Sequence, residues 1–425
     1  MKPYQPYTLR LMRYLWRFKL TPPGKYLIYG IALSLPGIVS VLIPAYQVFC
    51  MLMALFITAW ILGLFFRPQL RINARLPEKA TVGQVVSMDV TFTNIGWRAA
   101  YDIMLIIPGI HESIKPLNAD VSFSILPANE TGSLPMTIQA SERGRYDVPD
   151  LQAHSTFPFN LLRSGSSKCE LGSLLVLPEF HRLANIRIPM GGRYQSGGST
   201  LTQNIGISSE YVGNREYIPG EPARRLDFRS WARLAKPVVR EFQEENYCRV
   251  ALILDSYIPK RGFDLMGGKF RLPNQSRDDI RDGQNLEAAI SLTAAIAESV
   301  SRGEFLIDLF CTGPDMYLLQ SGNHQINLDR ILETLATLKS CKTAPFGAIS
   351  TPLSEQASGL SSAIFVFLDW DDSRRRLTQT LAEAGCRVKI VIVRDGETTL
   401  PLSDTDAEMI QVTAESIQSG AVSEI

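Results

Sequence analysis

The chain has 425 residues, 45% of them hydrophobic, with 43 basic and 42 acidic side chains. This is the composition of a globular protein of roughly two or three domains. The charge is uneven: nine basic and no acidic residues precede Glu78, whereas the rest of the chain carries 34 basic and 42 acidic residues. An acidic bulk argues against nucleic acid as a partner, and a basic, acid-free start favours contact with a membrane. Six scattered cysteines without a Cys-x-x-Cys pair favour a reducing compartment.

An uncharged apolar run occupies residues 26–66, and Gln47 is its only strongly polar side chain. One helix needs about 20 residues to cross the hydrocarbon core of a bilayer. The run therefore predicts a two-helix transmembrane hairpin with spans near residues 26–43 and 48–66, within a first domain of residues 1–69. Basic residues flank both ends and resist translocation, so we expect a multi-pass membrane protein with its soluble domains in the cytoplasm. A buried helix and strand in a soluble core is the alternative.

Short runs of alternating apolar and polar side chains fill residues 70–189, and they close with Gly, Pro or Asn. Residues 85–96 are an example. The pattern predicts antiparallel strands and, with them, a small β-sandwich. A Gly- and Ser-rich run at 190–206 then predicts a linker, which we group with the charged stretch behind it as residues 190–246.

Apolar strands alternate with helices in residues 247–425, which predicts a doubly wound α/β domain. Predicted strands include 247–257 and the run that ends at Asp369. Predicted helices include 285–303 and 407–418. Asp255, Thr312, Asp369 and Asp395 each follow a predicted strand, so we expect them at the carboxyl edge of the sheet, where such folds bind ligands.

Asp255 and Asp369 are candidate ligands for a divalent ion such as Mg²⁺, which prefers hard oxygen donors. The von Willebrand factor A-type fold holds its ion with an Asp-x-Ser-x-Ser loop after the first strand. In this chain Tyr257 and Pro259 stand where the two serines would be, so the motif is incomplete. The alternative is that both aspartates cap loops or helices.

Residues 213–245, GNREYIPGEPARRLDFRSWARLAKPVVREFQEE, combine a Pro-Gly turn with six arginines. Pro219-Gly220 suits a type II turn, residues 223–235 can form a helix that ends before Pro237, and residues 237–245 are predicted to be extended. Arg225, Arg229 and Arg233 would share one face of the helix. This stripe of arginines either binds carboxylates or phosphates of a partner, or it belongs to an internal lattice of ion pairs.

This stretch, called the signature segment below, resembles the motif of domain-of-unknown-function family fifty-eight. The family pattern is Gly-x-Arg-x-Tyr-x-Pro-Gly-Asp, then Arg-x-Ile-Asp-Trp-Arg, Ala-Arg and Glu-Phe-x-x-Glu. Two departures are Glu221 for Asp and Phe228 for Trp. The membrane hairpin, the sandwich strands and an A-type domain occur in the same order as in the family. The matching positions that we take as candidate partner-binding residues are Arg215, Tyr217, Pro219, Gly220, Arg225, Asp227, Arg229, Arg233 and Glu241.

The resemblance implies a bacterial inner-membrane protein with a von Willebrand factor A-like domain at residues 247–425. Members are often encoded beside MoxR-type AAA+ ATPases and transglutaminase-like membrane proteins. The implied role is an adaptor or scaffold whose partners are such an ATPase and other membrane proteins of the same system. The sequence itself carries no phosphate-binding loop and no nucleophile elbow, so we expect no catalysis. Two alternatives stay open: a divalent-metal-dependent enzyme at Asp255 and Asp369, and a structural protein of the cell envelope.

Overall fold

The computed structural model describes residues 15–35, 44–118, 120–189, 211–219, 226–242, 248–259, 273–303, 305–311, 317–319, 328–344, 346–402 and 407–425. The chain divides into two compact units. One extends to Glu179 and also includes Leu335–Thr337. The other comprises Phe180–Thr334 and Leu338–Ile425.

Two apolar helices, α1 (Pro22–Ser34) and α2 (Pro44–Phe65), begin the first unit. Within α2, Tyr46–Phe65 is long and apolar enough to cross a membrane, and only 11% of its most apolar window is buried. Its 20 residues rise about 30 Å, which is the thickness of the hydrocarbon core. Helix α1 has 13 residues and rises only about 20 Å. Residues 36–43, the rest of the first predicted span, lie outside the described residues, so the described part of the chain contains one candidate span.

Strands follow the two helices in the first unit and confirm the strands predicted from alternation; their pairs are antiparallel except β2 with β11, which is parallel. Two four-stranded sheets have the orders β1-β3-β7-β5 and β10-β9-β4-β6, and a three-stranded sheet has the order β2-β11-β8. Both four-stranded sheets bury side chains in one core, including Phe92 from β3 and Ile103 from β4, as is typical of a β-sandwich. The strands are β1 (Leu70–Asn73), β2 (Lys79–Thr81), β3 (Val85–Asn94), β4 (Ala100–Ile106), β5 (Ile114–Pro116), β6 (Ser122–Leu126), β7 (Thr131–Ala140), β8 (Gly144–Asp147), β9 (Leu151–Ser155), β10 (Ser164–Cys169) and β11 (Ser173–Leu177).

The second unit contains a two-stranded hairpin and a six-stranded sheet with the order β16-β15-β14-β17-β18-β19. Every neighbouring pair in the large sheet is parallel except β15 with β16. The helices and strands of the second unit are β12 (Tyr211–Glu216), α3 (Phe228–Leu234), β13 (Val238–Phe242), β14 (Cys248–Leu254), α4 (Pro273–Ser301), β15 (Phe305–Cys311), β16 (Tyr317–Leu319), α5 (Leu328–Thr337), α6 (Phe346–Gln356), β17 (Ser362–Phe367), α7 (Asp372–Glu383), β18 (Arg387–Val393), β19 (Glu408–Val412) and α8 (Ala414–Gln418). The last three residues of α5, Leu335–Thr337, are grouped with the first unit.

The strand order of the large sheet reverses at β14, because the chain continues to β15 on one side and later returns to β17 on the other. Strands β14 and β17 are parallel neighbours, with Leu254 opposite Val366. Their carboxyl ends therefore lie side by side, and Asp255 and Asp369 follow them in sequence. In open α/β sheets such a reversal is the usual place for a ligand.

Residues 407–418 were predicted to form one helix, and this prediction is wrong. The segment is strand β19 followed by the short helix α8. Strand β19 pairs in parallel with β18, from Lys389 opposite Glu408 to Val393 opposite Val412. This pairing outweighs the modest helix preference of the segment's Ala, Glu, Met and Gln residues. Thr413 then starts α8, because its hydroxyl accepts a hydrogen bond from the Ser416 N–H at 3.3 Å.

Candidate functional site

The signature segment folds as a β-hairpin with a helix in its connection. Strands β12 and β13 pair antiparallel, and Arg215 lies opposite Val239. Val238 and Val239 of β13 are both buried, and as neighbours in a strand they point to opposite faces of the hairpin. The extended conformation predicted after Pro237 is confirmed for β13, whereas strand β12 was not foreseen. Of the predicted partner-binding residues, Gly220, Arg225 and the side chain of Glu241 lie outside the described residues.

Asp227 ties helix α3 to the hairpin from a buried position. Its carboxylate accepts hydrogen bonds from the Ser230 hydroxyl at 2.7 Å, the Arg229 N–H at 3.2 Å and the Asn214 amide at 3.2 Å. The Arg240 guanidinium lies 3.5 Å away. These partners, first of all the Ser230 hydroxyl, lower the pKa of Asp227. The helix therefore begins at Phe228, later than predicted, because Asp227 is its N-cap.

Helix α3 carries the predicted basic stripe on a face that is open to solvent. Arg229 and Arg233 are exposed, and no residue of this helix is buried. Residues four apart lie on the same side of a helix, so these two arginines form the described part of the stripe. The internal lattice also exists in part, since Arg240 pairs with Asp227 and Lys236 pairs with Glu216 at 3.0 Å.

Exposed apolar side chains accompany the arginines. Exposed fractions are 65% for Phe228, 60% for Ile218, 53% for Leu234 and 37% for Trp231. The rings of Phe228 and Trp231 stack, with centroids 6.1 Å apart and an interplanar angle of 22°. The arginines of this helix were predicted from the sequence, whereas its exposed apolar side chains were not. The three-residue spacing of positions 228, 231 and 234 was the signal that could have predicted them. Apolar groups exposed together are typical of an interaction surface, and on α3 they lie on the side opposite Arg229 and Arg233.

The carboxyl edge of the large sheet has a different character, because Asp255 is completely buried against an arginine. Its Oδ1 accepts the Tyr257 N–H at 2.8 Å, and its Oδ2 accepts the Arg374 Nε at 2.9 Å and also Arg374 Nη2. Arg374 lies on α7 with 2% of its side chain exposed. Its Nη1 donates to Asp371. Asp255, Arg374 and Asp371 thus form one ion-paired cluster.

Asp369, the second predicted metal ligand, has its own partners. Its Oδ2 accepts the Thr399 hydroxyl at 2.8 Å and lies 3.0 Å from Arg394 Nη1, and its Oδ1 accepts the Thr399 N–H at 3.0 Å. Asp395 accepts the Ala414 N–H at 3.2 Å, and Thr312 lies outside the described residues. Among the residues that the structure describes, no group of three or more His, Cys, Asp or Glu side chains is placed to hold a metal ion.

No protein-family model and no curated protein matches this chain. Solved structures match over about a quarter of it. One is alpha-2-macroglobulin from Escherichia coli, from domain MG7 to the C-terminus, with 12% identity and a TM-score of 0.21 over 27% of this chain and 17% of that chain. Another is the CARDB domain of PF1109 from Pyrococcus furiosus, with 12% identity and a TM-score of 0.17 over 26% of this chain and 95% of that chain. The VesB protease of Vibrio cholerae has 14% identity and a TM-score of 0.18, over 25% of this chain and 31% of that chain.

Proposed function

We propose that this chain is a membrane-anchored, non-catalytic adaptor of domain-of-unknown-function family fifty-eight that docks a MoxR-type AAA+ ATPase. Its hairpin of two spans lies in the bacterial inner membrane, and its sandwich and its von Willebrand factor A-like domain face the cytoplasm. The exposed surface of helix α3, formed by Phe228, Trp231 and Leu234 on one side and by Arg229 and Arg233 on the other, is the docking surface. That surface is the observation on which the proposal rests.

The anchor is supported by the apolar, largely exposed helix α2. A row of exposed apolar side chains of this kind is stable in lipid and a liability in water. Arg67 and Arg71 follow α2 directly, and arginines beside a span favour the cytoplasmic side. The mostly parallel sheet, with a buried aspartate after β14, supports the A-like assignment of the second unit.

The docking surface has the composition of an interface core. Trp and Arg are enriched among residues that dominate binding energies, and an aromatic pair supplies apolar area at low cost in side-chain entropy. Arg229 and Arg233 offer guanidinium forks for bidentate contacts with carboxylates. We therefore expect the partner to hold α3 in a groove with an apolar wall on one side and Asp or Glu side chains on the other. Asp227 holds the helix that displays this surface and does not itself face the partner.

Capture from membranes tests the proposal. The tagged full-length chain is expressed in its native bacterium, the membranes are solubilised in a mild detergent, and captured proteins are identified by mass spectrometry with ATP, with ADP and without nucleotide. The wild-type chain is expected to recover an AAA+ ATPase in at least one nucleotide state. Charge reversal in Arg229→Glu/Arg233→Glu is expected to reduce that recovery at least tenfold, because two charge-assisted contacts become repulsive.

Lys339→Glu/Lys342→Glu is the matched control, because it reverses two exposed basic residues three positions apart elsewhere in the second unit. This variant should recover as much ATPase as the wild-type chain. The proposal fails if the wild-type chain recovers no AAA+ ATPase in any nucleotide state. It also fails if the two double variants lose the partner equally, since general charge would then explain the binding.

A further inference from the structure

Arg374 occupies a position that is unfavourable for a cation in two respects. It is the third residue of α7, and a positive charge in the first turn of a helix opposes the helix dipole. It is also almost completely buried, and a buried charge is costly unless it is paired and hydrogen-bonded. A guanidinium in this place therefore needs strong local compensation.

The surrounding groups supply that compensation. The guanidinium group donates to Asp255 through Nε and Nη2 and to Asp371 through Nη1. Two carboxylates therefore bind the same guanidinium group. The Phe346 ring centroid lies 4.8 Å from the guanidinium carbon, a favourable cation–π distance. Burial alone would lower the pKa of Arg374, but Asp255 and Asp371 outweigh burial and raise it above its ordinary value. Arg374 therefore stays charged at every physiological pH.

The same residues do not fit the divalent ion that an A-type ligand edge implies. Such an ion needs about six oxygen ligands or ordered waters. Here the two carboxylate oxygens of Asp255 accept hydrogen bonds from the Tyr257 N–H and from Arg374. Tyr257 and Pro259 stand where the metal loop has its two serines. Arg374 also has the Tyr257 ring centroid at 5.9 Å and the Phe367 ring centroid at 6.0 Å, and neither ring offers an oxygen ligand on its face.

We infer that the carboxyl edge of the large sheet is a built-in guanidinium site, in which the singly charged Arg374 side chain takes the place of a divalent cation. Asp255 is consequently not available to a metal ion. The inference concerns the second unit alone and does not depend on the adaptor role.

Chemical rescue tests this inference. The unfolding midpoint of the full-length chain in detergent is measured for the wild type, for Arg374→Ala and for Arg376→Ala, a control at an exposed position of the same helix. Each protein is titrated with MnCl₂ and, separately, with millimolar ethylguanidinium. The Arg374→Ala midpoint should be lowered and should rise with ethylguanidinium, which refills the vacated position between the two carboxylates. The wild type and Arg376→Ala should respond to neither additive.

Saturable stabilisation of the wild type by Mn²⁺ that disappears in Asp255→Asn would overturn the inference. An Arg374→Ala variant that responds to Mn²⁺ and not to ethylguanidinium would overturn it as well, and so would one that responds to neither. If Arg374→Ala is not recovered folded, Arg374→Lys replaces it. Lysine keeps the charge but cannot bridge both carboxylates as a fork, so its midpoint should fall and should remain insensitive to Mn²⁺.

Discussion

The membrane anchor can be tested with a calculable perturbation of α2. Within Tyr46–Phe65, ten residues are Leu, Ile, Phe or Val, and each contributes about −0.3 to −0.6 kcal/mol to membrane insertion. Together they favour insertion by about 3–6 kcal/mol. An arginine near the helix centre costs about 2.5–3.5 kcal/mol. Ile57→Arg alone should therefore weaken insertion, and the pair Ala54→Arg/Ile57→Arg, at a cost of about 5–7 kcal/mol, should cancel it.

The assay is alkaline extraction of isolated membranes, followed by immunoblotting of pellet and supernatant for the full-length chain. The wild type should stay in the pellet, and the double arginine variant, which keeps only the first proposed span, should be partly released or degraded. Ala54→Leu/Ile57→Leu is the control, because it keeps both positions apolar, and it should behave like the wild type. Release of the wild type under alkaline conditions, or full retention of the double arginine variant, would refute α2 as a membrane span.

Three further predictions concern the sandwich and the second unit. Asp255→Asn leaves the buried Arg374 with Asp371 as its remaining carboxylate partner, so β14 should open more easily in hydrogen exchange, by up to about 3–5 kcal/mol, with β3 as an internal control. Phe92→Ala should destabilise the sandwich by about 3–5 kcal/mol, because Phe92 is fully buried, and exchange in β3 should report it. The lowered pKa of Asp227 implies hairpin stability that is present above its ordinary pKa of 3.8 and is lost as pH falls, so cleavage of α3 by pepsin should rise toward pH 2 relative to cleavage of an unstructured reference peptide.

Each of these predictions has a result that contradicts it. Unchanged exchange in β14 would mean that Asp255 and Arg374 do not hold the sheet edge together. If Phe92→Ala changed β14 rather than β3, the division of the chain into two units would be mistaken. Asp227→Asn should remove the pH dependence of pepsin cleavage in α3, and persistence of that dependence would assign it to another group.

Much of the fold follows from local patterns. Strand β3 buries every second side chain along its whole length, so alternation alone was enough to predict it. Strand β17 is buried at every position, as a central parallel strand must be, and its apolar run was predicted for the same reason. The failure at residues 407–418 is different, because the partner strand β18 decides the conformation there and a local pattern does not contain that partner.

The candidate sites were less predictable than the fold. Arg374 is one of three consecutive arginines near the start of α7 and was not singled out from the sequence, yet it shares the buried face of α7 with Leu377 and Leu381. Its spacing of three and seven residues from those leucines was a readable signal of burial. Its pairing with Asp255, 119 positions away in sequence, was not readable, because it depends on how α7 packs beside β14. The role of Asp227 as a helix cap was a readable local signal, because it bonds to the N–H groups two and three residues later, whereas its pairing with Arg240 of β13 was not.

Photo-crosslinking at the docking surface tests the central claim most directly. A photoreactive phenylalanine analogue replaces Trp231 in the full-length chain, and cells are irradiated before their membranes are isolated. The expected product is a covalent adduct with an AAA+ ATPase, which should be absent when the analogue replaces the exposed Trp97 of the first unit. If position 231 yields only adducts with lipid or with copies of this chain, the proposal of a docked ATPase is contradicted.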